Sequence, residues 1–362
     1  MVGVGLIGTR TSPTLPSPVN RSMNRRPPSS TARHFWNVPN SKKAYDSVTD
    51  LALYNPLLFR VSHRNSGSFY FEGEGVVANG HYSVDAVTGE LRLNATIDEL
   101  CKRPSGAVPV PADKLVEHVL YSKTERTNFV STTFSFTWAL FFAEMNANNW
   151  KEEDVELLVI DTFAVAARAW VAHEQLSRIC PDWWSNASHK KILNATYSAQ
   201  EVIVPDCIPE SAIISRVPWA HLKTKLPSWF FDRSSRPESY QLNPIADAGQ
   251  ARRYVCWQKA AQDQLAQILS RKRKGFNARK EAVAFVIAAF APRSATATEV
   301  VLKNGPKSWE EFEPLVKRAA RILLNWSRPN NSPSINTKDE KELCGLIHEG
   351  MSQMFKVEKA AR

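Results

Sequence analysis

Residues 129–143 read FVSTTFSFTWALFFA, with five hydroxyl side chains (Ser131, Thr132, Thr133, Ser135 and Thr137) set among bulky apolar residues. The apolar run that follows, from Trp138 to Ala143, has the character of a buried helix. Hydroxyls placed just ahead of such a run have two uses. They accept hydrogen bonds from the first free N–H groups of the helix, or they belong to a site that handles a polar ligand. The stretch alone allows both, so its neighbours must decide.

On both sides of it, from about 51 to 220, short β-rich runs occur at 57–62 (LLFRVS), 68–71 (SFYF), 156–161 (ELLVID), 201–204 (EVIV) and 212–217 (AIISRV). Helical patterns occupy 112–121, 135–146 and 163–178, and proline and glycine punctuate the joins. Strands and helices do not alternate regularly, and no glycine-rich phosphate loop follows a strand. An α+β arrangement is therefore expected rather than a doubly wound nucleotide fold.

The flanks differ in kind. Residues 1–50 are rich in Pro, Ser and Arg and lack apolar periodicity, which predicts a disordered tail. An Arg- and Ser-rich leader without acids also suits a mitochondrial transit peptide, but its prolines oppose the amphipathic helix that such a leader needs. Residues 223–246 are broken by proline and read as a linker. Beyond them Tyr254, Trp257, Ala261, Leu265 and Ile268 step along one helical face. Ser308 and Glu311, then Thr337 and Glu340, have capping-box spacing ahead of further apolar stripes. A small all-α domain over 247–362 is expected.

Charge and composition exclude several classes. The net charge is +10, yet residues 1–45 hold seven Lys/Arg and residues 271–280 (RKRKGFNARK) hold six, with no acid in either, so the remainder is about −3. A surface that is basic throughout is thus ruled out. The 271–280 run reads either as a nucleic-acid or nuclear-import patch or as favourable charge at a helix end. No apolar run is long enough to span a bilayer, so no membrane partner is expected. The cytoplasm or nucleus is the expected compartment, ahead of the mitochondrion. Five cysteines far apart in sequence, without CxxC spacing, suit reduced thiols better than a disulfide framework. No zinc-protease, serine-hydrolase or Walker motif occurs, and the histidines are scattered; no metal site is expected. Asp161, ending an apolar strand, reads as a cap for the next helix.

Three polar residues on apolar strands remain: Arg60 in PLLFRVSH, Ser131 in FVSTT and Glu201 in QEVIVP. A charge on a buried strand is costly unless it is paired or used on a ligand. In this order the series resembles the Arg–Ser–Glu pattern of the ADP-ribosyltransferase fold, cholera-toxin-like branch. Phe59-Arg60 matches an arginine ending the first strand. Phe129-Val130-Ser131-Thr132-Thr133 matches the aromatic-x-Ser-Thr-Ser motif, and Glu201-Val202-Ile203-Val204-Pro205 matches the glutamate that opens a later strand. The arrangement is similar to uncharacterised fungal proteins with such a domain, over about 55–220.

The resemblance implies a split β-sheet domain with flanking helices over 51–222, and cleavage of the nicotinamide–ribose bond of NAD, which is consumed as substrate. It implies Glu201, Ser131 and Arg60 as catalytic, and Arg60, Ser131 and Thr132 as NAD-binding. The acceptor, protein or nucleic acid, is left open. Members that modify arginine carry Glu or Gln two residues before the catalytic Glu; here that place is Ala199, with Gln200 adjacent. This departure also fits a plain NAD hydrolase, or a catalytically silent interaction module that keeps the fold. On this reading Ser135 and Thr137 start the helix, and Ser131 with Thr132 serves the site.

Overall fold

The computed structural model describes residues 48–52, 55–63, 66–85, 88, 90–102, 112–121, 126–149, 151–230, 250–290, 309–325 and 341–350. The expected tail lies outside these except for its end, where Val48–Ala52 forms a helix (α1) that buries Val48 and Leu51. Strands β1 (Leu57–Ser62), β2 (Ser68–Phe71), β3 (Gly75–Ala78), β4 (Tyr82–Val84) and β5 (Leu91–Leu93) follow. Helices α2 (Ile97–Lys102) and α3 (Ala112–Tyr121) lead to β6 (Phe129–Thr133), α4 (Phe136–Asn149) and β7 (Glu156–Asp161).

The helix expected over 163–178 is broken into α5 (Thr162–Val165), a 3-10 turn (Ala166–Arg168), β8 (Trp170–Val171) and α6 (Ala172–Ile179). The break arises because Trp170 and Val171 pair with Ile203 and Val202, so tertiary pairing overrides the local helical pattern. Helix α7 (Ala187–Ala199), strands β9 (Glu201–Pro205), β10 (Cys207–Pro209) and β11 (Ile213–Pro218), and helix α8 (Trp219–Lys223) complete this part.

The architecture is α+β with antiparallel sheets. The main sheet runs β11-β7-β1-β6-β9-β8, and a smaller sheet runs β10-β3-β2. β1 lies along β7 for its whole length, from Leu57↔Asp161 to Ser62↔Glu156. β6 and β9 are matched from Phe129↔Pro205 to Thr133↔Glu201. Between these two well-paired halves, β1 meets β6 at one position, Phe59↔Thr133. The sheet therefore parts beyond that pair. Gly75, at φ +121, opens β3 where an added Cβ would strike the Ile208 carbonyl, so glycine lets β10 lie flush against it.

Strand alternation sorts the core. Leu57, Phe59 and Val61 belong to one cluster and Leu58 to another, which packs with Val76, Ala78, Val130 and Val202. The first cluster also takes in the C-terminal helices. Helices α9 (Gln250–Leu269), α10 (Lys272–Phe290), α11 (Trp309–Asn325) and α12 (341–350) share one continuous core with β1, β7 and α4. Phe136 stacks on Phe59 at 4.6 Å and on Phe285 at 5.6 Å, so a single ring joins the sheet to α10. Ser215 of β11 donates to the Ala289 carbonyl (2.8 Å), satisfying the end of that helix.

The expected linker begins as structure: Trp229 and Phe230 are buried in the same core, and Phe230 stacks on Trp257 at 5.5 Å. The rest of it, 231–246, lies outside the described residues, as do the capping boxes at 308 and 337. Apart from Arg271, the basic run 271–280 lies within α10, and Arg279 is paired with Glu342 at 2.5 Å. No helix among the described residues is long and apolar enough to cross a membrane.

Candidate functional site

The hydroxyls of 129–143 divide by strand alternation and by register. Ser135 is a cap: its Oγ accepts from the Trp138 N–H at 3.1 Å. Thr137 turns to the C-terminal helices and meets the Tyr254 hydroxyl at 2.8 Å. Thr133 accepts from the Ser135 N–H at 2.8 Å and donates to the Ala199 carbonyl, so it fixes the turn into the helix and the end of α7 together. Thr132 is buried and donates to the Val202 carbonyl across the ladder at 2.8 Å. Asp161 accepts from the Phe163 N–H at 2.9 Å, as the cap it was read to be.

Ser131 is the point of convergence. It lies partly exposed on the central strand. Its carbonyl accepts from Arg60 Nη1 at 2.5 Å, on the side where β1 has left the ladder. Its Oγ lies 2.8 Å from His118 Nε2. The Glu201 carboxyl is close enough for the Ser131 hydroxyl to stabilise its charged form. Arg60 and Glu201 are thus brought to the same residue, Arg60 through its backbone and Glu201 through its side chain.

Arg60 is buried, and Nη2 donates to the Ser68 hydroxyl of β2. Burial pulls its pKa down to about 10, which still leaves it a cation at neutral pH. Among the described residues no carboxylate pairs with it. Glu201, partly exposed, sits at the mouth of β9 with its pKa raised by desolvation, and the Ser131 hydrogen bond opposes that rise. Immediately before it, Gln200 is buried and held at φ 49, and its carbonyl accepts from the Phe134 N–H at 3.2 Å. Neither Ala199 nor Gln200 therefore presents an amide to an acceptor at the surface. No cluster of metal-ligating side chains occurs among the described residues.

His118 escaped the sequence reading, which saw scattered histidines. The signal was available: on α3, Leu115 and His118 are three residues apart on the inner face, and both are buried. Its Nδ1 lies 2.8 Å from Thr127 Oγ1. One proton arrangement satisfies the whole chain. Thr127 donates to Nδ1, the Nε2–H donates to Ser131 Oγ, and the Ser131 hydroxyl is free to donate to Glu201. Desolvation first, then the nearby Arg60 charge, lowers the His118 pKa to about 4, which keeps the imidazole neutral at pH 7.

That depression has a sign for stability. Between the ordinary histidine pKa of about 6.5 and about 4, the unfolded chain takes up a proton that the folded chain refuses. The stability is present above about pH 6.5 and is lost as pH falls toward 4, by about 3 kcal/mol. Urea unfolding at stepped pH should show this acid slope in the wild type and a flatter one in His118→Gln. Equal slopes would remove the assignment.

Residues 54–222 match the sequence model of a family described as a domain of unknown function (DUF7587). The match begins just before β1, spans the sheet that carries Arg60, Ser131 and Glu201, and ends inside α8. No curated protein matches the chain, and neither does any solved structure.

Proposed function

We propose that the protein is an ADP-ribosyltransferase-like enzyme that cleaves the nicotinamide–ribose bond of NAD at Ser131 and Glu201. The observation carrying this reading is the pairing of a partly exposed carboxyl and hydroxyl at the place where β1 and β6 part, with a buried, unneutralised arginine on the same serine. Such a parting is what a split-sheet nucleotide cleft requires.

The residue types suit the reaction. Departure of nicotinamide takes the bonding electron pair and leaves an oxocarbenium-like ribose, as in glycoside cleavage. Ionised Glu201 stabilises that positive charge and orients a ribose hydroxyl. Ser131 holds the carboxylate, and His118 holds Ser131. Arg60 supplies cationic charge toward the diphosphate. The acceptor attacks the anomeric carbon and loses its proton. With no exposed Glu or Gln at 199 or 200, water is the first acceptor to test, and a protein or nucleic-acid acceptor the second.

A second reading, a catalytically silent interaction module, draws on Arg60 itself. It is only 6% exposed and uses both terminal nitrogens on the protein. One experiment separates the two. The full chain is incubated with NAD labelled in nicotinamide, and calorimetry measures NAD binding. Release by wild type that is lost in Glu201→Ala supports the enzyme. No release and no heat of binding establishes the silent module.

A further inference from the structure

Far apart in sequence, Cys101 and Cys207 meet in space: their Sγ atoms are 3.1 Å apart. Cys101 is on α2 and partly exposed, whereas Cys207 opens β10 and is buried; both are free thiols. Neither position is loose. Helix α2 starts on a reciprocal capping box, in which the Thr96 N–H donates to Glu99 (2.9 Å) and the Glu99 N–H to Thr96 (3.3 Å). β10 is paired with β3 at Cys207↔Val77. The Arg168 guanidinium donates to the Cys207 carbonyl and lies 3.6 Å from its sulfur.

We propose that Cys101 and Cys207 form a redox-active dithiol site that low-molecular-weight disulfides close to an intramolecular disulfide. The site stands apart from Ser131 and Glu201 and does not depend on the NAD reading. Its parts have distinct roles. Cys101, the accessible thiol, is the attacking sulfur. The Cys207 S–H hydrogen bond and the Arg168 charge lower its pKa to about 6, against desolvation and the Asp98 carboxylate. Sharing that proton raises the pKa of Cys207, the resolving thiol. Bond formation needs an approach of only about 1 Å from the observed separation.

The exchange balances in two steps. The Cys101 thiolate attacks one sulfur of the small disulfide, breaking its S–S bond, forming a mixed disulfide and expelling one thiolate. Cys207 then loses its proton to solvent and attacks the Cys101 sulfur, expelling the second thiolate. Two protein thiols are oxidised and one disulfide is reduced to two thiols. The bridge ties α2 to the strand that begins six residues after Glu201.

The test uses the full chain, oxidised glutathione as the probe at neutral pH, and non-reducing peptide mapping after alkylation. The expected product is a Cys101–Cys207 cross-link, formed about tenfold or more faster than any adduct at Cys180, whose thiol pKa is raised by burial. Dithiothreitol should reverse it. In Cys207→Ser the reaction should stop at a glutathione adduct on Cys101, and in Cys101→Ser the buried Cys207 should stay unmodified. If the serine variants fail to fold, the wild-type map decides alone. Adducts on Cys180 or Cys344 at the rate of Cys101, or a Cys101 adduct that never resolves onto Cys207, would overturn the proposal.

Discussion

Glu201→Gln is expected to abolish nicotinamide release, by about 10²-fold or more, while the protein becomes more stable at pH 7. Both effects come from one charge. The neutral amide keeps the shape and can still accept from Ser131, but it cannot stabilise an oxocarbenium-like centre. The stability effect follows from the direction of the pKa shift. Desolvation raises the Glu201 pKa, so the folded chain favours the protonated carboxyl. Stability from that proton is full below the ordinary carboxyl pKa of about 4.3 and is lost as pH rises through the raised value. At pH 7 the native protein therefore holds a carboxylate that its surroundings disfavour, and removing the charge should gain about 1 kcal/mol. Thermal unfolding should show the gain at pH 7 and its disappearance near pH 4. On the proposed NAD cleavage, nicotinamide release by the wild type should fall as pH drops through the raised pKa, because the reactive form is the ionised one. A variant that is destabilised at pH 7 with nicotinamide release intact would contradict both arguments.

Local pattern located what local physics determines. The apolar runs at 57–62, 68–71 and 156–161 are strands with those bounds, because each is short, β-rich and closed by turn residues. Arg60, Ser131 and Glu201 stood out because polar residues on apolar strands need a reason, and the structure brings Arg60 and Glu201 to Ser131. What stayed hidden depends on contacts remote in sequence. β3 is four residues long, GVVA, and is a strand because β2 and β10 flank it. His118 could be placed on a helix face but not opposite Ser131, since the packing of α3 over β6 is a tertiary fact. The Cys101–Cys207 contact spans 106 positions and no spacing rule reports it.

The C-terminal helices were legible as helices, but their relation to the rest was not, and that relation carries the largest expected effect on folding. A fragment of residues 1–249 should fail to fold cooperatively. The family match ends at Leu222, which invites the view that the sheet domain is self-sufficient. The core argues otherwise. Trp219, Trp229 and Phe230 on one side pack with Tyr254, Trp257 and Phe285 on the other, and all six are nearly or fully buried. Fully exposing a large apolar side chain costs about 1.5–3 kcal/mol. Uncovering Phe136, Phe141, Trp219, Trp229 and Phe230 together would therefore consume most of the roughly 5–15 kcal/mol that holds a domain folded. The fragment would also lose the Tyr254 hydroxyl from Thr137 and leave the buried Ser215 hydroxyl without its Ala289 carbonyl. The expected state keeps far-UV circular dichroism, loses near-UV signal and binds a hydrophobic dye. Co-expression of 250–362 as a separate chain should restore the near-UV spectrum, because the interface is a divided core rather than a surface contact. A fragment that melts cooperatively within a few degrees of the full chain would show that the sheet carries its own core. Arg60, Ser131 and Glu201 would then be held without help from the helices.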